Sequence, residues 1–127
     1  MDENQNIVLK DPSGVIKTPG YPSNYPENLL QQCYWKIYAP EGKLIKLDFT
    51  SFRLPRGTCV DVINAINKEF PLRITHCVEQ PSFVVYSMTN ELGVKVRELY
   101  GLTGPGFTAN YALVTAGKKE QFTNVAI

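Results

Sequence analysis

Short segments in which apolar and polar residues alternate recur along most of the chain. Between residues 34 and 39, Trp35, Ile37 and Ala39 alternate with two tyrosines and a lysine, and residues 45–50 repeat this pattern. A period of two residues predicts a strand with one buried face. Similar or β-branched segments that also predict strands occupy residues 7–10, 15–18, 60–63, 72–75, 92–97 and 107–113.

The run at residues 83–87, Phe-Val-Val-Tyr-Ser, differs because it is almost continuously apolar. Such a run predicts a strand buried on both faces. Turn residues separate these segments about every ten residues, and no segment keeps a helical period over three turns. The pattern therefore predicts an all-β, antiparallel β-sandwich, with one domain over residues 1–116 and a tail or linker over residues 117–127.

The composition agrees with a single globular domain and excludes two classes of partner. The chain has 127 residues, with 13 basic and 12 acidic side chains and a net charge of +1. This balance gives no electrostatic reason to expect binding to nucleic acid or to an anionic membrane. The apolar runs are too short to span a bilayer, so membrane insertion is not expected.

The first residues, Met-Asp-Glu-Asn-Gln-Asn, are polar and acidic. They lack the positive and apolar regions of a signal peptide. Two interpretations stay open from these residues alone. Either the protein is cytosolic, or Met1 is a start residue placed before a mature secreted segment.

No set of residues predicts catalysis. His76 is the single histidine, and no second histidine is present to act as a base. The chain contains no Gly-x-Ser-x-Gly motif, and its cysteines lack the paired spacing of a zinc site. The acidic residues Glu41, Asp48, Asp61 and Glu98 are scattered along the chain. We therefore expect no enzyme activity, no catalytic residue and no cofactor.

Residues 14–35 carry the most specific motifs. They read Gly-Val-Ile-Lys-Thr-Pro-Gly-Tyr-Pro, then Asn-Tyr-Pro-Glu-Asn, then Cys-Tyr-Trp. This run resembles the opening of a CUB domain, with Thr18 where serine is usual. Later blocks resemble the same family in the same order, and the resemblance covers residues 8–114. It implies a jelly-roll-type β-sandwich that is secreted or extracellular, that binds other molecules, and whose precursor carries a signal peptide.

The resemblance also implies roles for the three cysteines. Cys59 and Cys77 correspond to the family's third and fourth cysteines and are expected to form a disulfide. Cys33 corresponds to the second cysteine, but no cysteine lies near Gln5, where the first would fall. Cys33 is therefore a buried, inert free thiol, a thiol in an interchain or alternative bridge, or a thiol with an engineered or metal-binding role.

Many CUB domains bind calcium, and this chain departs from their ligand pattern. Pro55 and Leu99 stand where the family has a glutamate and an aspartate, so that Asp61 alone survives as a vestigial ligand. Asp48 and Glu98 are the nearby acidic substitutes, and neither sits at a ligand position. Because calcium needs six to eight oxygen ligands, we expect no metal site.

Exposed aromatic and basic residues form the predicted partner site. If the family topology holds, the loop with Arg53, Arg56 and Asp61 lies at the same end as the loop with Tyr100 and Leu102. Tyrosine and arginine are enriched at binding hot spots. A partner with an acidic or apolar surface would suit this end. Further tyrosines expected in loops or on outward strand positions are Tyr21, Tyr25 and Tyr38.

The sequence therefore predicts an extracellular, non-enzymatic and calcium-independent protein-interaction module. Its partner would be another extracellular protein, a longer parent chain or a second copy in a homo-oligomer. One alternative is a heparin- or glycan-binding module similar to the spermadhesins. Another is an accessory domain of a secreted protease. The charge for glycan binding would come from outward basic residues, namely Lys36, Lys43, Lys46, Lys95 and Arg97.

Overall fold

The computed structural model describes residues 6–25, 33–64 and 71–115, and within these ranges every regular element is a β-strand. The strands are β1 Asn6–Leu9, β2 Ser13–Lys17, β3 Tyr34–Tyr38, β4 Lys43–Arg53, β5 Thr58–Asn64, β6 Leu72–Cys77, β7 Glu79–Gln80, β8 Phe83–Tyr86, β9 Glu91–Glu98 and β10 Gly106–Thr115. These residues include no helix of the length and apolar character that crossing a membrane requires. The predicted tail, 117–127, lies outside the described residues.

The ten strands form two five-stranded sheets, which confirms the predicted β-sandwich. Sheet A has the order β1-β3-β9-β5-β6. Sheet B has the order β2-β10-β4-β7, and β8 also pairs with β4. All pairs are antiparallel except β1 with β3, which run parallel. The pairing of β4 with β10 extends over ten residue pairs and is the longest of the described ladders.

A β-bulge in the β4–β10 ladder explains why two phenylalanines three residues apart both face the core. Thr108 pairs with Ser51 and Ala109 pairs with Phe49, so Thr50 is skipped in the register. The extra residue reverses the alternation, and Phe49 and Phe52 are 0% and 1% exposed. The predicted strand at 45–50 therefore continues through the bulge to Arg53 instead of ending at residue 50.

An aromatic cluster joins the two sheets. The Trp35 ring of sheet A meets the Phe107 ring of sheet B edge to face, with centroids 5.6 Å apart. Phe49 lies 5.6 Å from Phe107 and stacks on Phe83 at 4.6 Å. Each pair of this kind contributes about 0.5–1.5 kcal/mol beyond the area that it buries. This cluster lies between the sheets and holds them face to face.

The prediction that residues 83–87 form a strand buried on both faces was wrong. The strand β8 pairs with β4 alone, and only Val85 among its four residues is buried. The apolar run covers the edge of the core and is not a central strand. The two-residue strand β7, which pairs with the end of β4, was not predicted.

Gly106 permits a close approach between β10 and the segment that follows β2. Its φ is +91°, and an added Cβ would lie 1.9 Å from Thr18 Oγ1. Thr18 is 0% exposed, its N–H donates to the Phe107 carbonyl at 3.1 Å, and its hydroxyl accepts from the Phe107 N–H at 3.3 Å. A side chain at position 106 would break this contact.

We therefore expect Gly106→Ala to destabilise the domain by roughly 2–5 kcal/mol, because left-handed strain adds to overpacking. The matched control is Gly42→Ala. Gly42 also has a positive φ, +88°, but no heavy atom lies within 4 Å of its added Cβ. The control carries the left-handed strain alone and should cost about 1–2 kcal/mol. Urea unfolding of both variants measures the difference, and equal losses would contradict the role of the Thr18 contact.

Candidate interaction site

Several connections meet at one end of the sandwich because strands of both sheets end there. Thr58 at the start of β5 pairs with Glu98 at the end of β9, and Arg53 at the end of β4 pairs with Gly106. We call this end, formed by residues 18–25, 54–57, 78 and 99–105, the loop end.

Exposed apolar side chains are concentrated at the loop end. Leu99, Tyr100, Val78 and Leu102 are 73%, 57%, 44% and 40% exposed. They are four of the seven large hydrophobic side chains that are exposed in the described part of the chain. The sequence predicted Tyr100 and Leu102 as contacts. It named Leu99 only as a lost calcium ligand, and it gave no reason to single out Val78.

The structure brings the predicted contacts Arg56 and Tyr100 together. Arg56 Cζ lies 5.7 Å from the centroid of the Tyr100 ring, within cation–π range. Gly57 allows the ring to lie close to the backbone, since an added Cβ would be 2.5 Å from Tyr100 Cδ2. The Leu99 N–H also donates to the Gly57 carbonyl at 2.9 Å. The two loops thus form one continuous surface.

Arg53 contributes less positive charge to the loop end than Arg56. Its Nε lies 3.9 Å from Glu79 Oε2, and both side chains are mostly exposed. A solvent-exposed pair of this kind adds little to stability, about 0–1 kcal/mol. Glu79 nevertheless offsets the charge of Arg53 locally.

Val78 holds a strained backbone conformation beside the disulfide. Its φ is +65°, which is unusual for a β-branched residue. Its N–H donates to the Thr58 carbonyl at 3.2 Å, and its carbonyl accepts from the Leu54 N–H at 2.9 Å. These two bonds fix the conformation, so that the apolar side chain is held at the surface.

The structure corrects the placement of Asp61. This residue is not in an end loop but lies within β5, on the outer face of sheet A, and is 1% exposed. Arg97 donates to both carboxylate oxygens, from Nε to Oδ2 at 2.6 Å and from Nη2 to Oδ1 at 3.1 Å. Thr75 donates to Oδ1 at 2.7 Å, and Arg73 Nε lies 3.9 Å from Oδ2. Asp61 is therefore not available as a direct contact for a partner at the loop end.

These contacts set the protonation of Asp61. Burial by itself raises the pKa of this carboxyl, but hydrogen bonds from Arg97 and Thr75 and the charges of Arg97 and Arg73 outweigh it. The net result is a pKa below the usual 3.8. Asp61 is thus ionised at neutral pH despite its burial.

Tyr25 is buried, contrary to the expectation that it lies exposed in a loop. It is 1% exposed, its N–H donates to the Gly104 carbonyl at 3.2 Å, and its own carbonyl accepts from the Thr103 hydroxyl. Burial and the negative charge of Glu98 raise the pKa of Tyr25 to about 12, although the Thr58 hydroxyl offsets part of the rise. The backbone of Tyr25 therefore holds the loop 99–105 from the core side, through its hydrogen bonds to Thr103 and Gly104.

The described residues at the loop end do not form a calcium ligand set. Pro55 and Leu99 have no side-chain oxygen, and the carboxylate of Asp61 is held by arginines on the sheet face. Among the described residues, no three His, Cys, Asp or Glu side chains lie close enough together to hold a metal ion.

Two of the three cysteines form a disulfide next to the loop end. Cys59 and Cys77 are paired in register across β5 and β6 and form a disulfide. They are 18 residues apart, and a loop of this size is stabilised by about 3 kcal/mol in the chain-entropy model. Cys33 precedes β3 and is 1% exposed. The roles expected for Cys33 from the sequence stay predictions.

His76 has a packing role. Its ring stacks on Phe83 with centroids 4.1 Å apart, and its Nδ1 lies 3.0 Å from Gln80 Oε1. No other histidine exists in the chain. The stacked rings of His76 and Phe83 cover the edge of the core between β6 and β8.

Replacing Asp61 by Asn tests its ion-pair network. We expect Asp61→Asn to lower the free energy of unfolding near neutral pH by about 1–3 kcal/mol, since hydrogen bonds to a charged group are lost. Because the folded pKa is lowered, the wild type keeps this stabilisation above pH 3.8 and loses it as the pH falls through the folded pKa. The two proteins should therefore converge in acid.

Denaturant unfolding across acidic pH measures this effect. Asp48→Asn, on the other sheet, controls for the loss of one negative charge. A difference between Asp61→Asn and the wild type that stays constant down to the lowest pH would contradict the assignment.

The chain's seven tyrosines allow a direct test of the buried Tyr25. Tyr25 should ionise near pH 12 in the near-ultraviolet absorbance titration, and Tyr25→Phe should remove one tyrosine's share of the absorbance change there. Because the folded pKa is raised, the stabilisation from neutral Tyr25 is present below pH 10 and is lost as the pH rises through about 12. An undiminished absorbance change near pH 12 in Tyr25→Phe, with Tyr100→Phe as control, would refute the assignment.

Comparison with known proteins agrees with the fold and the motifs. The model of the CUB domain family matches residues 4–111. The chain is 32% identical to the Suppressor of tumorigenicity 14 protein homolog of Bos taurus, over 81% of this chain and 12% of that protein. It is 34% identical to the Membrane frizzled-related protein of Mus musculus, over 80% of this chain and 18% of that protein.

Solved structures give the same result. The full extracellular region of zebrafish Gpr126/Adgrg6 superposes with a TM-score of 0.75 at 25% identity, covering 87% of this chain and 15% of that chain. The CUB1-EGF-CUB2 domains of rat MASP-1 superpose with a TM-score of 0.72 at 25% identity, covering 91% and 45%. By length, the chain spans less than a fifth of the two curated relatives named above, the Bos taurus protein and the Mus musculus protein. It belongs to the CUB domain family, whose members are in general non-catalytic modules of multidomain extracellular proteins.

Proposed function

We propose that this CUB domain is an extracellular, non-enzymatic protein-interaction module that binds its partner through the loop end without calcium. The observation that carries the proposal is the concentration of exposed Leu99, Tyr100, Leu102 and Val78 beside Arg56. Contiguous exposed apolar groups mark interaction sites on soluble domains. Tyrosine and arginine are the residue types that dominate binding energy at such sites.

The surface is preorganised for binding. Tyr25 and Gly57 support the loops from the core side, and Val78 is held between two backbone hydrogen bonds next to the disulfide. A surface that is already ordered loses little conformational entropy on association. The partner's complementary surface would be apolar at its centre and acidic at its rim, so as to match Arg56 and Arg53.

In this proposal the domain binds without calcium, because the described residues at the family's ligand positions offer too few free side-chain oxygens to bind the ion. The described side chains that stand in for the family's ligands are Pro55, Leu99 and an Asp61 that is paired with arginines. Direct contact between side chains would therefore replace contact through a metal ion.

An extracellular location is supported by the disulfide, since such bonds persist in oxidising compartments. It is also supported by the solved extracellular region of Gpr126/Adgrg6, which contains a similar fold. The partner would be another extracellular protein, a further part of a longer parent chain, which could be a secreted protease, or a second copy.

A retention experiment tests the loop end. The immobilised domain is exposed to extracellular proteins from its source in buffer with EDTA, and the retained proteins are identified. We expect Tyr100→Ser/Leu102→Ser to weaken retention about tenfold or more, since a hot-spot truncation costs roughly 2 kcal/mol. The matched control is Val8→Ser/Met88→Ser, which removes two exposed apolar side chains, 54% and 46% exposed, away from the loop end.

The control should retain the same proteins as the wild type, and thermal unfolding checks that both variants fold. Equal loss in the two variants would overturn the assignment of the loop end. Retention that requires calcium in place of EDTA would overturn calcium independence.

A further inference from the structure

The strands β1 and β2 lie at the edges of their sheets, on the same side of the sandwich. In the pairing order, β1 is the first strand of sheet A and β2 is the first strand of sheet B. Residues 10–12 alone connect them, so the two edges lie next to each other. An edge strand has backbone groups on one side that its own sheet does not pair. Within the described residues, two such edges therefore face the same way.

The register between β2 and β10 shows which backbone groups of β2 are paired. The Thr18 N–H donates to the Phe107 carbonyl at 3.1 Å, and the Leu113 N–H donates to the Pro12 carbonyl at 3.0 Å. Both bonds continue the register of the ladder. In an antiparallel ladder, residue pairs that exchange hydrogen bonds alternate with pairs that do not. The even-numbered residues of β2 therefore bond to β10.

The odd-numbered residues of β2 direct their backbone groups away from β10, to the side that we call the free edge. These residues are Ser13, Val15 and Lys17. Within the described part of the chain, no strand of the sheet pairs with this side of β2. The three side chains are exposed on the outer face of sheet B, and Val15 is 58% exposed. The centre of the free edge is thus apolar.

An apolar groove separates the free edge from β1. The groove is lined by Ile7 and Leu9 of β1, by Trp35 of β3 and by Val15 and Lys17 of β2, and it reaches residues 18–20 of the loop end. Ile7 and Leu9 pack against the core but are only partly buried. Contact with a further apolar surface would remove these side chains from water, which is favourable.

A second copy of the chain fits the free edge because the edge is self-complementary. A two-fold axis at Val15, perpendicular to sheet B, sets the two β2 strands antiparallel and places Val15 opposite Val15 of the second copy. Ser13 of each copy then lies opposite Lys17 of the other. All three pairs are of the hydrogen-bonded type, so each N–H at the free edge meets a carbonyl. A two-fold interface of this kind uses the same patch on both subunits.

The same axis brings the two grooves together. Because the axis is perpendicular to sheet B, β1 of one copy faces β1 of the other, and Ile7 and Leu9 of both copies meet. The two Lys17 side chains stay apart by the length of four residues, roughly 13 Å along the strands. Each lysine instead lies two residues along the chain from Asp11 of the other copy, which carries the opposite charge. A lone peptide strand would supply neither the second apolar wall nor this charge pairing.

We propose that two copies of the chain associate through β2, so that their B sheets join into one continuous sheet and their apolar grooves close against each other. The strand β2 has five residues, so the new ladder is short. A small interface of this kind gives a weak dimer whose population depends on concentration. The proposal uses the edge of sheet B and does not rest on the proposed interaction at the loop end.

Sedimentation equilibrium from about 10 µM to about 1 mM measures the association, and the wild type should pass from monomer to dimer. Val15→Pro removes the N–H at the centre of the free edge and no hydrogen bond to β10, a placement that edge strands tolerate. It should weaken association about tenfold or more, since the two central hydrogen bonds are lost. The control Met88→Ser removes another exposed apolar side chain, 46% exposed, and should dimerise like the wild type.

A charge swap tests whether Val15 lies opposite its own copy. Val15→Lys and Val15→Asp each place two like charges directly across the axis, which is unfavourable, so each variant alone should be monomeric. Mixed in equal amounts, the two variants should form a heterodimer, because a lysine then faces an aspartate. Met88→Lys and Met88→Asp are the matched controls, and each alone should dimerise. Circular dichroism checks that all variants are folded.

Hydrogen exchange of the backbone amides gives a readout of the ladder itself. The amides of Ser13, Val15 and Lys17 should exchange rapidly in dilute protein and more slowly as the dimer forms. The Ile16 amide bonds to β10, so it should be protected in both states.

A wild type that stays monomeric at the highest concentration would overturn the proposal, as would a charge-swapped mixture that stays monomeric. If the wild type is monomeric and Val15→Pro loses retained extracellular proteins, the edge takes a strand of another protein, and the second copy is wrong. Tyr100→Ser/Leu102→Ser should leave dimerisation unchanged, so failure of this proposal is distinguishable from failure of the loop-end proposal. Loss of the dimer in that variant, but not in Val15→Pro, would place the second copy at the loop end and contradict the assignment.

Discussion

The edge-to-face contact between Trp35 and Phe107 is the interaction on which the rest of the structure depends, because it joins sheet A to sheet B. Phe107 follows Gly106 directly and exchanges backbone and hydroxyl hydrogen bonds with Thr18. The same few residues therefore set the distance between the sheets and the position of the first loop at the loop end. A change in this contact would move both the core and the surface that we assign to binding.

The proposed surface at the loop end depends on this frame. The loop end presents apolar side chains on connections that are held by Tyr25, Gly57 and the disulfide, so its specificity comes from shape and from a few anchors. Protruding loops of this kind suit a protein surface.

Much of the architecture was predictable from the sequence because strand alternation is a local property. The segments around Trp35, Leu47 and Val94 alternate cleanly, and each of them is a strand with the expected face buried. The run at 83–87 was misassigned, since apolar content alone does not distinguish a central strand from one that covers the edge of a core. The continuation of β4 was missed because the bulge at Thr50 reverses the alternation that the prediction relied on.

The sequence by itself determined the family, the positions of most strands, and the replacement of two acidic positions by Pro55 and Leu99. These are properties of residue identity and spacing along the chain. Only the tertiary structure decided that Asp61 is buried under two arginines, that Lys43 and Lys46 lie on the opposite sheet from Lys36 and Lys95, and that Tyr25 points into the interior. The physical reason is that a side chain's surroundings depend on which strands pair across the sheet, and pairing joins residues that are far apart in sequence.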